Sequence, residues 1–162
     1  MQTFLPFASF TESAECLDMK RLLCQIKEAY QIIHNQFPNH PASLMWTGHR
    51  TALKLYFNVV LEEYRRRGRK HQYSMFTIPQ CVTLPSWLNN EIFHLSQKVN
   101  LLRKDYIHYS QYFNVPKDIR YPEGYYWPVV NGKKSQKDTE AWESFFDDHG
   151  KIIMYAVEGK AF

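Results

Sequence analysis

Apolar residues recur at spacings of three and four in three stretches of this chain, and each stretch is bounded by residues that start or stop helices. Residues 1–8, MQTFLPFA, come first and read as an extended apolar arm, because Pro6 forbids an early helix. Ser9 followed by Glu12 has capping-box spacing and opens a helix from about 10 to 35. Leu23, Ile26, Tyr30 and Ile33 form its core stripe. Asp18, Arg21, Gln25 and Glu28 share a second, polar face. That face is either solvated and laced with ion pairs, or the wall of a charged site.

Pro38 and Pro41 end this helix and steer the chain through a short helical turn over 42–46. A second long helix is expected from about 48 to 67, with His49, Leu53, Tyr56 and Val60 in line and Ala52, Leu55 and Val59 widening the stripe. Gly68 stands where a left-handed cap belongs. The preceding Arg65, Arg66 and Arg67 suit the helix dipole, with phosphate contact as the alternative reading. Residues 69–86 read as irregular, with a short strand over Tyr73–Ile78. A third helix is expected over about 86 to 105, its core stripe Ile92, Leu95, Val99 and Leu102. Ser96, Asn100 and Arg103 share another face, flanked by His94 and Lys104.

After the DYIHY run around His108 comes YPEGYYWP, residues 121–128, where Gly and Pro exclude regular structure. Its rings, Trp127 among them, either pack over the helices or offer stacking surfaces. Beyond 129 a turn at 131–134, a helix capped by Asp138 and running through Trp142 to Phe146, and an edge strand or arm over 151–157 are expected. The fold class is therefore mainly α: a compact single-domain bundle of about three long helices with an irregular, aromatic-rich C-terminal segment. Residues 1–128 form the helical domain, and 129–162 an extension packed on it or at an interface.

Composition adds rings and a mild positive charge. Among 162 residues there are 11 Tyr, 11 Phe and 4 Trp, enough to fill a core and leave rings for a surface. A formal charge of +4 permits an acidic partner without requiring one. Cys16, Cys24 and Cys81 are too scattered for a disulfide framework or a zinc ribbon, and Cys16 and Cys24 read as small core residues. No apolar run reaches the length of a bilayer span and no signal peptide is visible, so a soluble, cytoplasmic protein is expected.

The usual catalytic signatures are missing. His40, His49, His94 and His108 lack a ligand spacing such as HExxH, so no metal and no cofactor are expected. There is no GxSxG elbow, Walker A or GxGxxG. What remains is cations interleaved with aromatics and polar helix faces. Arg and Lys neutralise phosphates, Tyr and Trp stack on unpaired bases, and an enzyme acting on a base must extrude and hold it.

The runs MQTFLP, LDMKRLLCQIKEAYQII, NHPASLMWTGHRTALKLY, EEYRRRG, NLLRKDYIHY and YYWP resemble a family of small proteins, the pyrimidine-dimer DNA glycosylase-like family, over about residues 1–128. More distantly the chain is similar to the phage enzyme endonuclease V, a compact helical DNA glycosylase with lyase activity. The resemblance implies a DNA-binding enzyme of base excision, an N-glycosylase with or without strand cleavage at abasic sites, acting on a damaged or modified pyrimidine in duplex DNA. In the distant relative a processed N-terminal Thr supplies an α-amine that attacks the sugar C1′, assisted by a glutamate of the first helix. Here Gln2 is too large for methionine removal, so the amine falls to Met1, and Glu28 is the best match for the glutamate. Arg21 and Gln25 then contact substrate, with Asp18 and His40 in support. Trp46, His49, Arg50, Asn100, Arg103, Lys104, His108 and Trp127 are the remaining candidates for DNA. A non-catalytic DNA- or protein-binding module of the same fold, and an enzyme for a free nucleotide or nucleoside, are the alternatives.

Overall fold

The computed structural model describes residues 1–128 and 133–153, with side chains from 136 onward in the last helix. Among the described residues seven α-helices and one 3-10 turn make up the regular structure, and the only β pairing is an isolated antiparallel bridge between Phe146 and Ile152. The chain divides into two compact units, Met1–Asn89 and Asn90–Phe162. The domain boundary expected at 128/129 falls beside residues outside the described ones, as do the turn at 131–132 and most of the arm over 154–157.

In the first unit the helix expected over 10–35 is two. Helix α1 spans Phe10–Cys16 and α2 spans Met19–Ile33. Ser9 caps α1 by accepting from Glu12 N, as its spacing implies. The break comes at Leu17, in extended conformation, because Asp18 starts a helix of its own by accepting from Arg21 N at 3.0 Å. A capping side chain competes with helix continuation, so Asp18 is a start signal and not a mid-helix residue. The core face of α2 is Leu22, Ile26, Ala29 and Ile33, one position off the expected stripe, so Leu23 and Tyr30 are half-buried and Cys24 is exposed. The displaced face carries Gln25 inward, fully buried.

Helix α3, Pro41–Leu44, is the short turn expected after Pro41. Helix α4, Arg50–Arg66, packs along α2 and α1. It buries Leu53, Tyr56 and Val60, and also Phe57 and Leu61, whose positions lie to the other side of the expected stripe. Gly68 at φ +79° ends it: Gly68 N donates to Arg65 O and Arg69 N to Tyr64 O, the paired bonds of a Schellman turn. The arginines before it are structural to different degrees. Glu63, 6% exposed, accepts from Arg66 and Arg67 at 2.6 Å each. Burial works to raise the Glu63 pKa, but those hydrogen bonds outweigh it and hold it below the ordinary value. Arg67 also caps the end of α1 by donating to Ala14, Glu15 and Leu17 carbonyls.

Tyr73–Ile78 forms no strand. It lies extended beside α4, where Asn58 stands in for a ladder partner, donating to Phe76 O and accepting from Phe76 N, each at 2.8 Å. The 3-10 turn Ser86–Asn89 closes the unit.

The second unit begins at Asn90, which caps α5, Glu91–Lys104, by accepting from Phe93 N. The expected start at Ser86 is thus five residues early, since an Asn cap rather than Pro85 sets the register. Helix α5 buries Phe93, Val99, Leu101 and Leu102 together with Ser96 and Gln97, while Ile92 and Leu95 are only half-buried. Helix α6 is Tyr106–Tyr109, capped by Asp105. Helix α7 is Lys133–Glu143, so Asp138 lies inside it rather than at its start, and Phe146 lies beyond its end. Asp138 has a different role: a Cβ on Gly124 would come within 2.7 Å of its carboxyl, so only glycine fits there.

Candidate active site

The polar face of α2 is read by the N-terminal arm. Residues 2–4 run past α2 in extended conformation, and their backbone groups need partners where Gln2, Thr3 and Phe4 are buried. Gln25 supplies them from within the core: its Oε1 accepts from Phe4 N at 2.7 Å, and its Nε2 donates to Gln2 O at 3.0 Å. The Tyr56 hydroxyl lies 2.7 Å from Gln25 Oε1 and 3.0 Å from Phe4 O, and its proton is shared between them. Burial first, and the charge of Glu28 in the same direction, push the Tyr56 pKa well above its ordinary value, so it stays a neutral donor. Glu28, half-buried one turn further along, accepts from Gln2 N at 2.9 Å and from Gln25 Nε2 at 3.4 Å. The carboxylate is thereby fixed against the peptide bond that joins Met1 to Gln2.

The other wall comes from 40–46. His40 caps α3 through Nδ1, which accepts from Ala42 N at 3.1 Å. Its pKa is lowered, first by burial and then by the positive N-terminus. Burial and that charge both favour the neutral form of His40. Trp46, 2% exposed, donates through Nε1 to Thr3 Oγ1 at 3.1 Å and packs on Phe10, Tyr56 and Trp87.

The arm that follows Met1 is thus held by Gln25 and Glu28, with Trp46 bonded to Thr3. Gln25 is wholly occupied in holding the arm, and Trp46 is enclosed as core. Asp18 and Arg21 form their own ion pair at 3.2 Å, both half-buried, two turns toward the start of α2. Arg50 turns its guanidinium to the carbonyls of Ile32 and Ile33, closing the end of α2. His49 starts α4 without capping it, and its Nδ1 is buried with no hydrogen-bond partner. The remaining candidates belong to the second unit. Asn100 donates to Gly124 O at 2.6 Å and to Ser96 O at 2.8 Å. Arg103 donates to Tyr121 and Pro122 carbonyls, so both fasten the 121–124 segment. Lys104 is exposed; His108 packs on Tyr109 and Tyr112; Trp127 is 7% exposed, its N–H bonded to Thr139. No group of three or more metal-ligating side chains occurs among the described residues.

Sequence reasoning missed Tyr56 and the backbone of residues 2–4 as site components. A Tyr in a buried stripe needs a partner for its hydroxyl, and that was the readable signal.

A family model described as pyrimidine dimer DNA glycosylase matches residues 1–77. The match covers just under half of the chain, and it is a similarity to that family. No curated protein and no solved structure matches the chain. The matched stretch contains the arm, α1 to α4 and the segment beside α4, hence every member of the cluster around Glu28. The candidates from Asn100 to Trp127 lie outside it. No helix among the described residues is long and apolar enough to cross a membrane.

Proposed function

We propose that this chain is a DNA N-glycosylase acting on a damaged or modified pyrimidine, with its centre at the Met1 α-amine and Glu28. The observation that carries the reading is the docking of the arm. Gln25, Tyr56 and Glu28 spend four hydrogen bonds on the backbone of residues 2–4, which fixes where the peptide that carries the chain's own amine stands.

In this reading the unprotonated amine attacks C1′ of the extruded nucleotide. The C1′–N bond breaks, its electron pair leaves with the pyrimidine, and the base takes up a proton. The sugar ring then opens: the C1′–O4′ bond breaks and O4′ takes up a proton. C1′ is left as a protonated imine on the protein, whose positive charge is stabilised by the Glu28 carboxylate. Neutral His40 avoids adding a second positive charge next to the amine, and the proton that the amine sheds passes to solvent. Hydrolysis of the imine completes base removal. Loss of a C2′ proton with cleavage of the C3′–O bond would instead break the strand. Gln25 acts here as a positioning residue, and Arg21 is the nearest cation on the same helix face for a phosphate.

The test is base release from duplexes carrying a thymine dimer or a modified pyrimidine, with wild type and Glu28→Gln. The reading expects release by the wild type, a loss of about a hundredfold or more in the variant, and DNA affinity within a few-fold. Salt-sensitive binding without release by either protein would instead assign a binding module. Turnover of free nucleosides alone would move the substrate away from DNA.

A further inference from the structure

A second feature of the first unit stands apart from the amine site. Lys27, Tyr30 and His34 fall on one face of α2, roughly 160° around the helix from Gln25 and Glu28 at 3.6 residues per turn. There the rings build a column. His34 lies on Tyr30 with centroids 4.0 Å apart, Tyr30 stacks on Tyr73 at 4.0 Å and 10°, and His71 follows Tyr73 at 4.5 Å. Three of these rings are half-buried, and His34 is exposed at the outer end, with Phe76 6.3 Å away as its other ring neighbour. The column is held rigidly, by the Asn58–Phe76 pairing and by Arg65 donating to Tyr73 O at 2.6 Å.

Cations surround it. Lys54 Nζ sits 5.4 Å from the Phe76 ring centre, and the charges of Lys27 and Arg65, after burial, lower the His71 pKa, which places both nearby. Among the described residues none of Lys27, Lys54 and Arg65 makes an ion pair, and neither does Glu62, the exposed carboxylate bordering them on α4. Their neighbours Arg66 and Arg67 are consumed by Glu63, so the lack of compensation is selective. A folded protein gains nothing from clustering unpaired cations, whereas a polyanion is attracted by them.

We propose that this face binds a single-stranded segment of DNA, an unpaired base continuing the ring column on His34 and flanking phosphates lying against Lys27, Lys54 and Arg65. Phosphates account for the cations and a base for the open ring, and one strand supplies both. The proposal extends the nucleic-acid reading but does not need the amine chemistry, because it uses the opposite face of α2.

The probe is a fluorescein-labelled twelve-residue deoxythymidine strand, bound to the full chain across a salt series. Wild type should bind, with the double variant Lys27→Glu/Lys54→Glu at least about tenfold weaker and its log–log salt slope shallower by about 1.4, for two lost phosphates. His34→Ala, a substitution at an exposed position, should weaken binding about tenfold with the salt slope unchanged, a signature that loss of charge would not give. Circular dichroism establishes that each variant is folded. No binding by wild type, or equal binding by folded variants, overturns the proposal. So does competition by polyglutamate as effective as by DNA, which would assign an acidic peptide. Covalent trapping on abasic DNA, measured in the same variants, should persist. Its absence from wild type alongside intact strand binding would remove the glycosylase reading and leave this one standing.

Discussion

The two units solve the same problem with different remainders. In each, an amide side chain on a long helix holds the backbone of an extended, aromatic-rich segment. Gln25 on α2 holds residues 2–4, and Asn100 on α5 holds Gly124. Around Asn100 the neighbouring polar group is also spent, since Arg103 donates to Tyr121 and Pro122. Around Gln25 a carboxylate and an α-amine remain, with a neutral histidine beside them. A polar helix face is therefore not a site in itself. What distinguishes the two is the chemistry left over after the backbone has been satisfied.

That contrast is sharpened most by Glu28→Gln. Activity should fall about a hundredfold or more. The amide retains an oxygen to accept from Gln2 N, so the urea midpoint should move little. A large drop in stability with unchanged turnover would reverse the assignment and make Glu28 a counterpart of Asn100.

Next in size is Gln25→Ala, which strands Phe4 N and Gln2 O in the interior and leaves the Tyr56 hydroxyl with Phe4 O alone. A loss of about 3–5 kcal/mol of stability is expected in urea unfolding, since each orphaned buried group costs roughly 1–3 kcal/mol and some relaxation follows. Asn100→Ala should cost less, about 1–2 kcal/mol, because only carbonyls lose a donor. It should leave base release per folded molecule unchanged. Impaired release in Asn100→Ala would break the comparison by bringing the second unit into the chemistry.

The smallest effect is in pH. His40 has a folded-state pKa below its ordinary 6.5 and Glu63 one below its ordinary 4.5. In both cases the unfolded chain binds the proton more readily. Stability is thus complete above about 6.5, declines as pH falls through the His40 transition, and declines again below 4.5 as Glu63 is protonated. The His40 imidazole should titrate below 6.5 in an NMR series, and a midpoint above 6.5 would place it away from the N-terminal charge.

The sequence made the helices legible because caps and periodicity agree over α2, α4 and α5, and the Gly68 cap was visible as such. It misplaced the break at Asp18 and the start at Asn90, because each residue reads as a cap only once the extended residue before it is known. The core stripe of α2 was off by one position for a related reason. Gln25 was read with a polar face, either solvated or lining a site, yet it is buried because an arm some twenty residues earlier brings it backbone partners. The same long-range docking explains why Tyr56 passed for plain core. The ring column of Tyr30 and Tyr73 was equally hidden, since 43 positions of chain separate its two halves. Met1, Glu28 and His40 were named through resemblance and residue chemistry, and spacing along the chain says nothing of how they sit relative to one another.

The central claim is tested most directly by borohydride trapping on duplex DNA containing an abasic site, followed by intact-mass analysis and peptide mapping. The amine condenses with the open sugar aldehyde, and reduction fixes that imine as a stable secondary amine. The account predicts an adduct on the peptide that begins at Met1, abolished when the α-amine is acetylated. An adduct on a lysine elsewhere, or base release with no adduct at all, would contradict it.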